Sequence, residues 1–295
     1  MVEYDNKSWL KLFLTLEGSV LPSIMPRILI CGVFTAAIQA LHLWGTPLNG
    51  VVATPWQLVG LALGLLLVFR TNTAYERYWE GRRMWGAVVN STRNFTVATL
   101  SYLDASHPDT ATIQQRLIKL VAAYPILMKQ RLRDEKNLEE VAHLMTESDK
   151  TVLAAASNLP LTLEILIART LHEAQQKNLF TPPQIRIWDL SLVELINALG
   201  ACERIKNTPL PIAYVLHLKR FLYIFCLSLP FPLASSFGWW SVLIVMLFGY
   251  AFIGIEEIGV EIEDPFGTDP NDLPLDKICQ TIQSTLLDTL NKHAG

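Results

Sequence analysis

Asp264, Asp269 and Asp272 fall in one short run, Asp264-Pro-Phe-Gly-Thr-Asp269-Pro-Asn-Asp272, the densest collection of oxygen donors in the chain. A turn-rich acidic loop of this kind suits a hard cation such as calcium. It does not follow the EF-hand spacing D-x-[DN]-x-[DN]-G-x5-E. The same residues equally suit a solvated turn in which Asp and Asn bond their own backbone. Other chemistry has less to stand on. His42, His107, His143, His172, His217 and His293 form no H-x-x-x-H pair, and His172–Glu173 lacks the second histidine of a zinc-protease helix. There is no G-x-S-x-G, no Walker loop and no G-x-G-x-x-G. Covalent catalysis is therefore not expected, and the chain reads as a non-enzyme.

A different kind of pattern lies between Trp56 and Gly86. Leu61, Leu65 and Phe69 recur at i, i+4 and i+8, which places three large apolar side chains on one helical stripe. Just beyond Phe69 the run turns polar, with Arg70, Asn72, Glu76 and Arg77. A hydrophobic constriction opening onto a wet vestibule would explain that edge, because apolar constrictions gate by dewetting. An arginine snorkelling from the end of an ordinary lipid-facing helix explains it too. Gly60 and Gly64 make a small-xxx-small pair on an adjoining face, which allows close helix approach.

The elements that must carry these residues are helices. Trp56–Gly86 contains no proline and would run for roughly 45 Å at 1.5 Å per residue, longer than a bilayer's hydrocarbon core. Ile28–Trp44 is uncharged and long enough to span, and Gly45, Pro47, Asn49 and Gly50 supply the turn between the two. From Phe221 to Ile255 charges vanish again, enough for two more spans joined at Pro230, Pro232 and Gly238. Thr110–Leu132 and Leu161–Lys177 alternate apolar and charged residues at helical spacing, Pro125 is expected to kink or break the first, and Gln184–Asn207 forms another helix. Ile278, Ile282, Leu286 and Leu290 give a last amphipathic helix a side that docks on the bundle. Near the amino terminus, Asn6 and Ser8 offer caps for an interfacial helix from Trp9 to Leu16. Strand alternation is missing, so the fold class is an all-α membrane protein with four transmembrane helices and a large cytosolic helical bundle.

The expected division is an interfacial segment at 1–27, spans one and two at 28–79, the cytosolic domain at 80–207, spans three and four at 208–258, and a cytosolic loop and helix at 259–295. Basic residues (Lys7, Lys11, Arg27, Arg70, Arg77, Lys219, Arg220) flank the ends opposite two uncharged loops, so both termini are expected in the cytoplasm. The amino terminus lacks the basic-then-apolar order of a signal peptide and is expected to be retained. A 51% hydrophobic share with 17% charged residues fits a mixed membrane and aqueous protein, and a net charge of −3 gives no reason to expect a nucleic-acid partner. Cys31, Cys202, Cys226 and Cys279 are scattered and read as buried hydrophobes.

Three segments together resemble the bestrophin ion channels: FRTNTAYERYWEGRRMWG (Phe69–Gly86), ACERIKNTPLPIAYVLHLKR (Ala201–Arg220) and DPFGTDPNDLPLD (Asp264–Asp276). The first matches an R-[WY]-W motif and the third an N-P-F-G-x-D-x-x-D region, while GSVLPSIMPR (Gly18–Arg27) is similar to the bacterial branch. The resemblance implies a homopentamer in the inner membrane with one central pore and four spans per subunit. Counting back from the motif arginine, Arg77, it implies a pore neck at Phe69, Leu65 and Leu61, the stripe already found. It places a second, cytosolic aperture at Ile185, Arg186 and Ile187, with Arg186 where an apolar side chain is usual. Asp264, Asp269 and Asp272 match ligand positions of a calcium clasp, although Asp264 replaces an asparagine and the bacterial branch resembles channels without a working clasp. No cofactor is required on this reading, and Ca2+ is the one the resemblance raises. The permeant species would be chloride by family default, or monovalent cations such as sodium as in bacterial members. The rival from another class is a membrane-anchored scaffold or sensor whose cytosolic bundle binds a partner.

Overall fold

The computed structural model describes residues 15–45 and 52–293. All regular structure among them is helical: α1 (Leu21–Leu43), α2 (Thr54–Tyr102), α3 (Thr110–Leu132), α4 (Glu147–Ala154), α5 (Leu159–Gln176), α6 (Ile185–Asn207), α7 (Ile212–Ser228), α8 (Pro230–Phe237), α9 (Trp240–Glu261) and α10 (Leu275–His293), with 3-10 turns at Leu138–Leu144 and Pro182–Gln184. The interfacial helix expected at Trp9–Leu16 lies outside the described residues except for Thr15 and Leu16, which are not helical. Of the turn after α1, only Gly45 is described, with φ at +112°. Four helical stretches are long and apolar enough to cross a membrane: Leu21–Leu43, Thr54–Tyr102, Ile212–Phe237 and Trp240–Glu261.

The chain divides into two compact units. The first holds α1, α2 as far as Tyr78, α7 to α9, and residues 262–265 and 269–272. Its core is apolar and comes from every helix that could span: Ile24, Ile28 and Cys31 of α1, Leu63 and Leu67 of α2, Phe225 and Cys226 of α7, and Val245 and Ile253 of α9. A Cβ added at Gly32 would lie 2.9 Å from Met246 Sδ, so glycine is what lets this side chain of α9 seat on α1. One boundary falls outside the expected ones. Helix α1 starts at Leu21 rather than Ile28, because Pro22 sits in its first turn, where a missing N–H costs nothing. Helix α7 starts at Ile212, within the expected 208–258 but ahead of the uncharged run at Phe221; Lys219, inside it, pairs with Glu256 of α9 at 3.5 Å, so the helix absorbs its charge.

The second unit comprises α2 from Trp79, α3 to α6, residues 266–268 and α10. Helix α3 is its centre, packed by α5, α6 and α10. Every residue from Leu120 to Gln130 is buried, Pro125 among them, and the helix is assigned without interruption from Thr110 to Leu132. The expected break at Pro125 does not occur, because neighbours on all sides hold a helix that propensity alone would interrupt. Helix α10 buries Leu275, Cys279, Ile282, Leu286 and Leu290 and packs on α3, with Cys279 taking the place expected for the half-buried Ile278. Its first turn is tied down electrostatically: Lys129 reaches Asp276 at 2.8 Å and Glu140 at 2.5 Å, while Arg133 bonds Asp276 at 2.9 Å and the Gly267 carbonyl at 3.0 Å. All four cysteines are free and buried, and burial pushes the Cys202 and Cys279 thiols up to about 12, so both stay protonated.

Helix α2 is longer than expected. Beyond Gly86 it continues for sixteen residues through Ala87–Tyr102, a stretch rich in valine and threonine. Thr92, Thr96 and Thr99 each turn a hydroxyl back to the i−4 carbonyl at 2.8 to 2.9 Å, which removes the polar cost of burying them. Trp188 of α6 then donates its indole N–H to Thr99 Oγ1 at 3.0 Å.

Candidate functional site

Helix α2 presents two different faces. Leu63, Leu67, Arg70 and Ala74 are buried, the first two within the apolar core of the first unit. On the opposite side Leu61, Leu65 and Phe69 are 76%, 56% and 56% exposed. The exposed stripe continues into Asn72 and Glu76. One continuous face of one helix therefore carries three bulky apolar side chains and then polar ones that need water. Of the glycine pair, Gly60 abuts the Phe225 ring of α7, where an added Cβ would meet Cζ at 3.0 Å, while Gly64 has open space beside it. Only Gly60 thus serves packing within the chain.

Arg70 does not join the exposed stripe. It is 1% exposed, and its Nη2 donates to Glu263 Oε2 at 2.6 Å. The other oxygen of Glu263 accepts the backbone N–H of Leu210 at 3.0 Å, and its carbonyl accepts Arg77 Nε at 3.1 Å. One glutamate thus joins α2, the segment leading into α7 and the end of α9. Among the described residues Arg70 Nε and Nη1 have no hydrogen-bond partner, which makes the single ion pair with Glu263 decisive for this buried charge. Arg70 was among the charges expected to line a vestibule; its burial removes it from that face. Glu263 went unrecognised in the sequence, although an acid just past an apolar span whose neighbouring span ends in arginine was the available signal.

Ile185, Arg186 and Ile187 form the first turn of α6 in the second unit, directly after the 3-10 turn at Pro182–Gln184. Thr181 holds that turn with Gln184, whose side-chain carbonyl accepts both the Thr181 N–H and hydroxyl at 2.7 Å. Arg186 is exposed, while Ile185 and Ile187 are half-buried. Glu80 of α2 is engaged by Arg204 of the same unit at 2.6 Å.

In the acidic loop, Asp272 is buried and accepts the Asp269 backbone N–H at 2.7 Å, whereas Asp264 and Asp269 are exposed. Asn271 spans two partners, donating from Nδ2 to the Gly18 carbonyl at 3.0 Å and to Glu261 Oε2 at 2.6 Å. Among the described residues no three His, Cys, Asp or Glu side chains converge to hold a metal ion, and Asp264, Asp269 and Asp272 are not brought together as a ligand set. The physical reason is local: Asp272 spends an oxygen as a turn cap, the arrangement that Asx-rich loops adopt on their own.

A helical protein with four apolar spans, one carrying an exposed apolar-to-polar stripe, belongs to the class of multi-span membrane proteins. Comparison with known families narrows this. The model of the bacterial and fungal bestrophin proteins matches residues 1–288, and the chain belongs to that family. A voltage-dependent anion channel-forming protein of Synechocystis is 37% identical over 285 residues, covering 96% of this chain and 92% of that one. Another of the same description, YneE from Escherichia coli, is 36% identical over 296 residues, covering 97% and 93%. A crystal structure of a bacterial bestrophin homologue from Klebsiella pneumoniae superimposes with a TM-score of 0.84 at 28% identity, covering 91% of this chain and 98% of that chain.

Proposed function

We propose that this chain assembles as a homopentamer in the inner membrane, both termini in the cytoplasm, and forms a passive ion channel with a hydrophobic neck at Leu61, Leu65 and Phe69. The observation that carries the reading is the exposed stripe of α2, which passes from these residues into Asn72 and Glu76 on the same face. A lipid-facing stripe would have no use for Glu76 two turns below Phe69, whereas a water-filled vestibule accommodates it. The family and the names of its curated relatives support ion conduction. Exposed Leu190 and Val193 on α6 and Leu161 and Ile165 on α5 support assembly, since contact with neighbouring copies would take this apolar surface out of water.

Ions cross such a neck by partial dehydration, and no covalent step is involved. Three apolar rings do not choose the sign of the ion. The relatives' names favour anions, while five copies of Glu76 below the neck would favour monovalent cations such as sodium. Arg186, exposed at the start of α6, is the residue we assign to the cytosolic aperture together with Ile185 and Ile187. The test is reconstitution of the purified protein in planar bilayers, with reversal potentials read under separate sodium and chloride gradients, with and without calcium. Unitary currents altered in Leu65→Ala support the neck, and the reversal potential supplies the sign. Silent, well-folded pentamers across voltages and calcium levels would overturn the channel reading in favour of a membrane-anchored scaffold.

A further inference from the structure

A cavity of about 240 Å³ opens in the second unit between one face of α3, the 3-10 turn at Leu138–Leu144 and the start of α4. Thr112, Gln115, Arg116 and Lys119 line it from α3, at the three- and four-residue spacing that puts them on one side of the helix. His143, Thr146 and Asp149 face them. Asp149 is the one carboxylate in the lining, and both its oxygens are engaged: Oδ1 takes Arg116 Nη2 at 3.0 Å, and Oδ2 takes the Thr146 N–H at 3.1 Å and hydroxyl at 2.6 Å. Arg116 is held from a second side, where Nε donates to Thr170 Oγ1 at 3.2 Å. Its guanidinium is therefore fixed before any ligand arrives, with Nη1 still to be used.

Lys119 has no ion-pair partner among the described residues. The Gln283 amide group meets His143 Nε2, so that ring nitrogen is already engaged. What the cavity offers is thus an ammonium, a guanidinium nitrogen, an amide and a hydroxyl, with both oxygens of its one carboxylate already engaged. Such a set recognises an anion bearing several acceptor oxygens.

We propose that this cavity binds a small free oxyanion of the phosphate class, from orthophosphate to a compact phosphate monoester. The fixed Arg116 Nη1 supplies direction and Lys119 supplies the uncompensated charge. The site lies apart from the exposed stripe of α2 in the sequence and its occupancy is read by binding alone, so its test is independent of whether currents are observed. Isothermal titration of the full-length protein in detergent, with sodium phosphate against sodium chloride at matched ionic strength, should give one saturable site per chain. Lys119→Met should weaken binding by about tenfold or more, the loss of one charge-assisted contact. Gln115→Glu, which sets a negative charge at the exposed rim, should abolish it, while Lys150→Met on α4, outside the cavity, should leave it unchanged. Apparent melting temperatures without phosphate keep the two cavity variants interpretable, since Gln115 is exposed and Lys119 half-buried. A non-saturating titration of folded wild-type protein, equal binding in Lys119→Met, or succinate binding as tightly as phosphate would overturn the assignment.

Discussion

Glu164 is the most exposed to refutation of the charges in this chain, because its surroundings make a signed, quantitative demand. It lies on α5, is 5% exposed, and neither carboxyl oxygen has a hydrogen-bond partner among the described residues. The phenol of Tyr124 lies against it, yet the one phenolic proton goes to the Leu195 carbonyl at 2.9 Å. Burial without compensation lifts the Glu164 pKa to about 7, from an ordinary 4.5, with Tyr124 opposing the rise only in part. Below pH 4.5 the group is protonated whether the protein is folded or not and costs nothing extra. Between those values the unfolded chain releases the proton while the folded one retains it, so stability falls as pH rises. Above about 7 the loss is complete: two and a half units at 1.36 kcal/mol each make about 3 kcal/mol.

Glu164→Gln removes the titration and keeps the shape. Its stability relative to wild type should therefore be near zero or slightly negative at pH 4.5 and rise toward +3 kcal/mol, roughly, by pH 8. For a protein of this size that is a gain of about 5 °C in melting temperature. Apparent melting temperatures of both proteins in the same detergent, taken at half-unit pH steps, give the difference directly, and every other titrating group cancels in it. A difference that stays flat from pH 4.5 to 8, or that shrinks as pH rises, would refute the claim that Glu164 is buried without a donor.

Three further expectations follow from the membrane unit. Leu65→Ala, on the exposed stripe, should shift melting by no more than about 0.5 kcal/mol while changing unitary conductance, whereas Leu67→Ala, in the core, should cost about 2–5 kcal/mol; melting curves and bilayer recordings on the pair separate the faces. Glu263→Gln should cost about 3–5 kcal/mol by stranding the fully buried Arg70, and Arg70→Met less, since the Glu263 carboxylate it leaves behind is partly exposed and keeps the Leu210 N–H; equal losses in both would contradict the geometry. Asn271→Ala removes both donations from Nδ2 and should speed amide exchange in residues 269–272 and around Gly18, with a stability loss of about 1–3 kcal/mol.

Sequence reading succeeded where one physical signal dominates. Runs such as Ile28–Trp44 and the one inside Trp56–Gly86 have no partner but lipid or another apolar helix, so hydropathy alone identifies them. Leu61, Leu65 and Phe69 were legible as a stripe because helical geometry fixes which side chains share a face. The readings that failed are those that tertiary packing decides. Pro125 sits inside α3 because burial on all sides outweighs one lost backbone bond. Ala87–Tyr102 stays helical although threonine and valine are weak helix formers, since their hydroxyls bond back to the chain and Trp188 packs on them. Composition likewise does not reveal that Asp272 accepts the Asp269 N–H.

Arg70 and Phe69 illustrate why neighbours in sequence can have opposite duties. Successive residues of a helix are about 100° apart, so fixing the direction of one side chain fixes the rotation of the whole face. Arg70 is drawn inward by Glu263, and a guanidinium with two unpartnered nitrogens would lose far more by leaving that carboxylate than a leucine would lose by exposure. Its ion pair therefore sets the rotational phase of α2 and turns Phe69, and with it Leu65 and Leu61, to the open side. On this view Glu263 positions the proposed neck without touching it. Glu263→Gln in protein stabilised enough to stay folded should widen the distribution of unitary conductances, because the helix loses the contact that fixes its rotation. Arg70→Met, which retains an apolar inward anchor, should leave that distribution narrow. A Glu263→Gln channel with a single sharp conductance level equal to wild type would show that the apolar core of Leu63 and Leu67 sets the phase by itself.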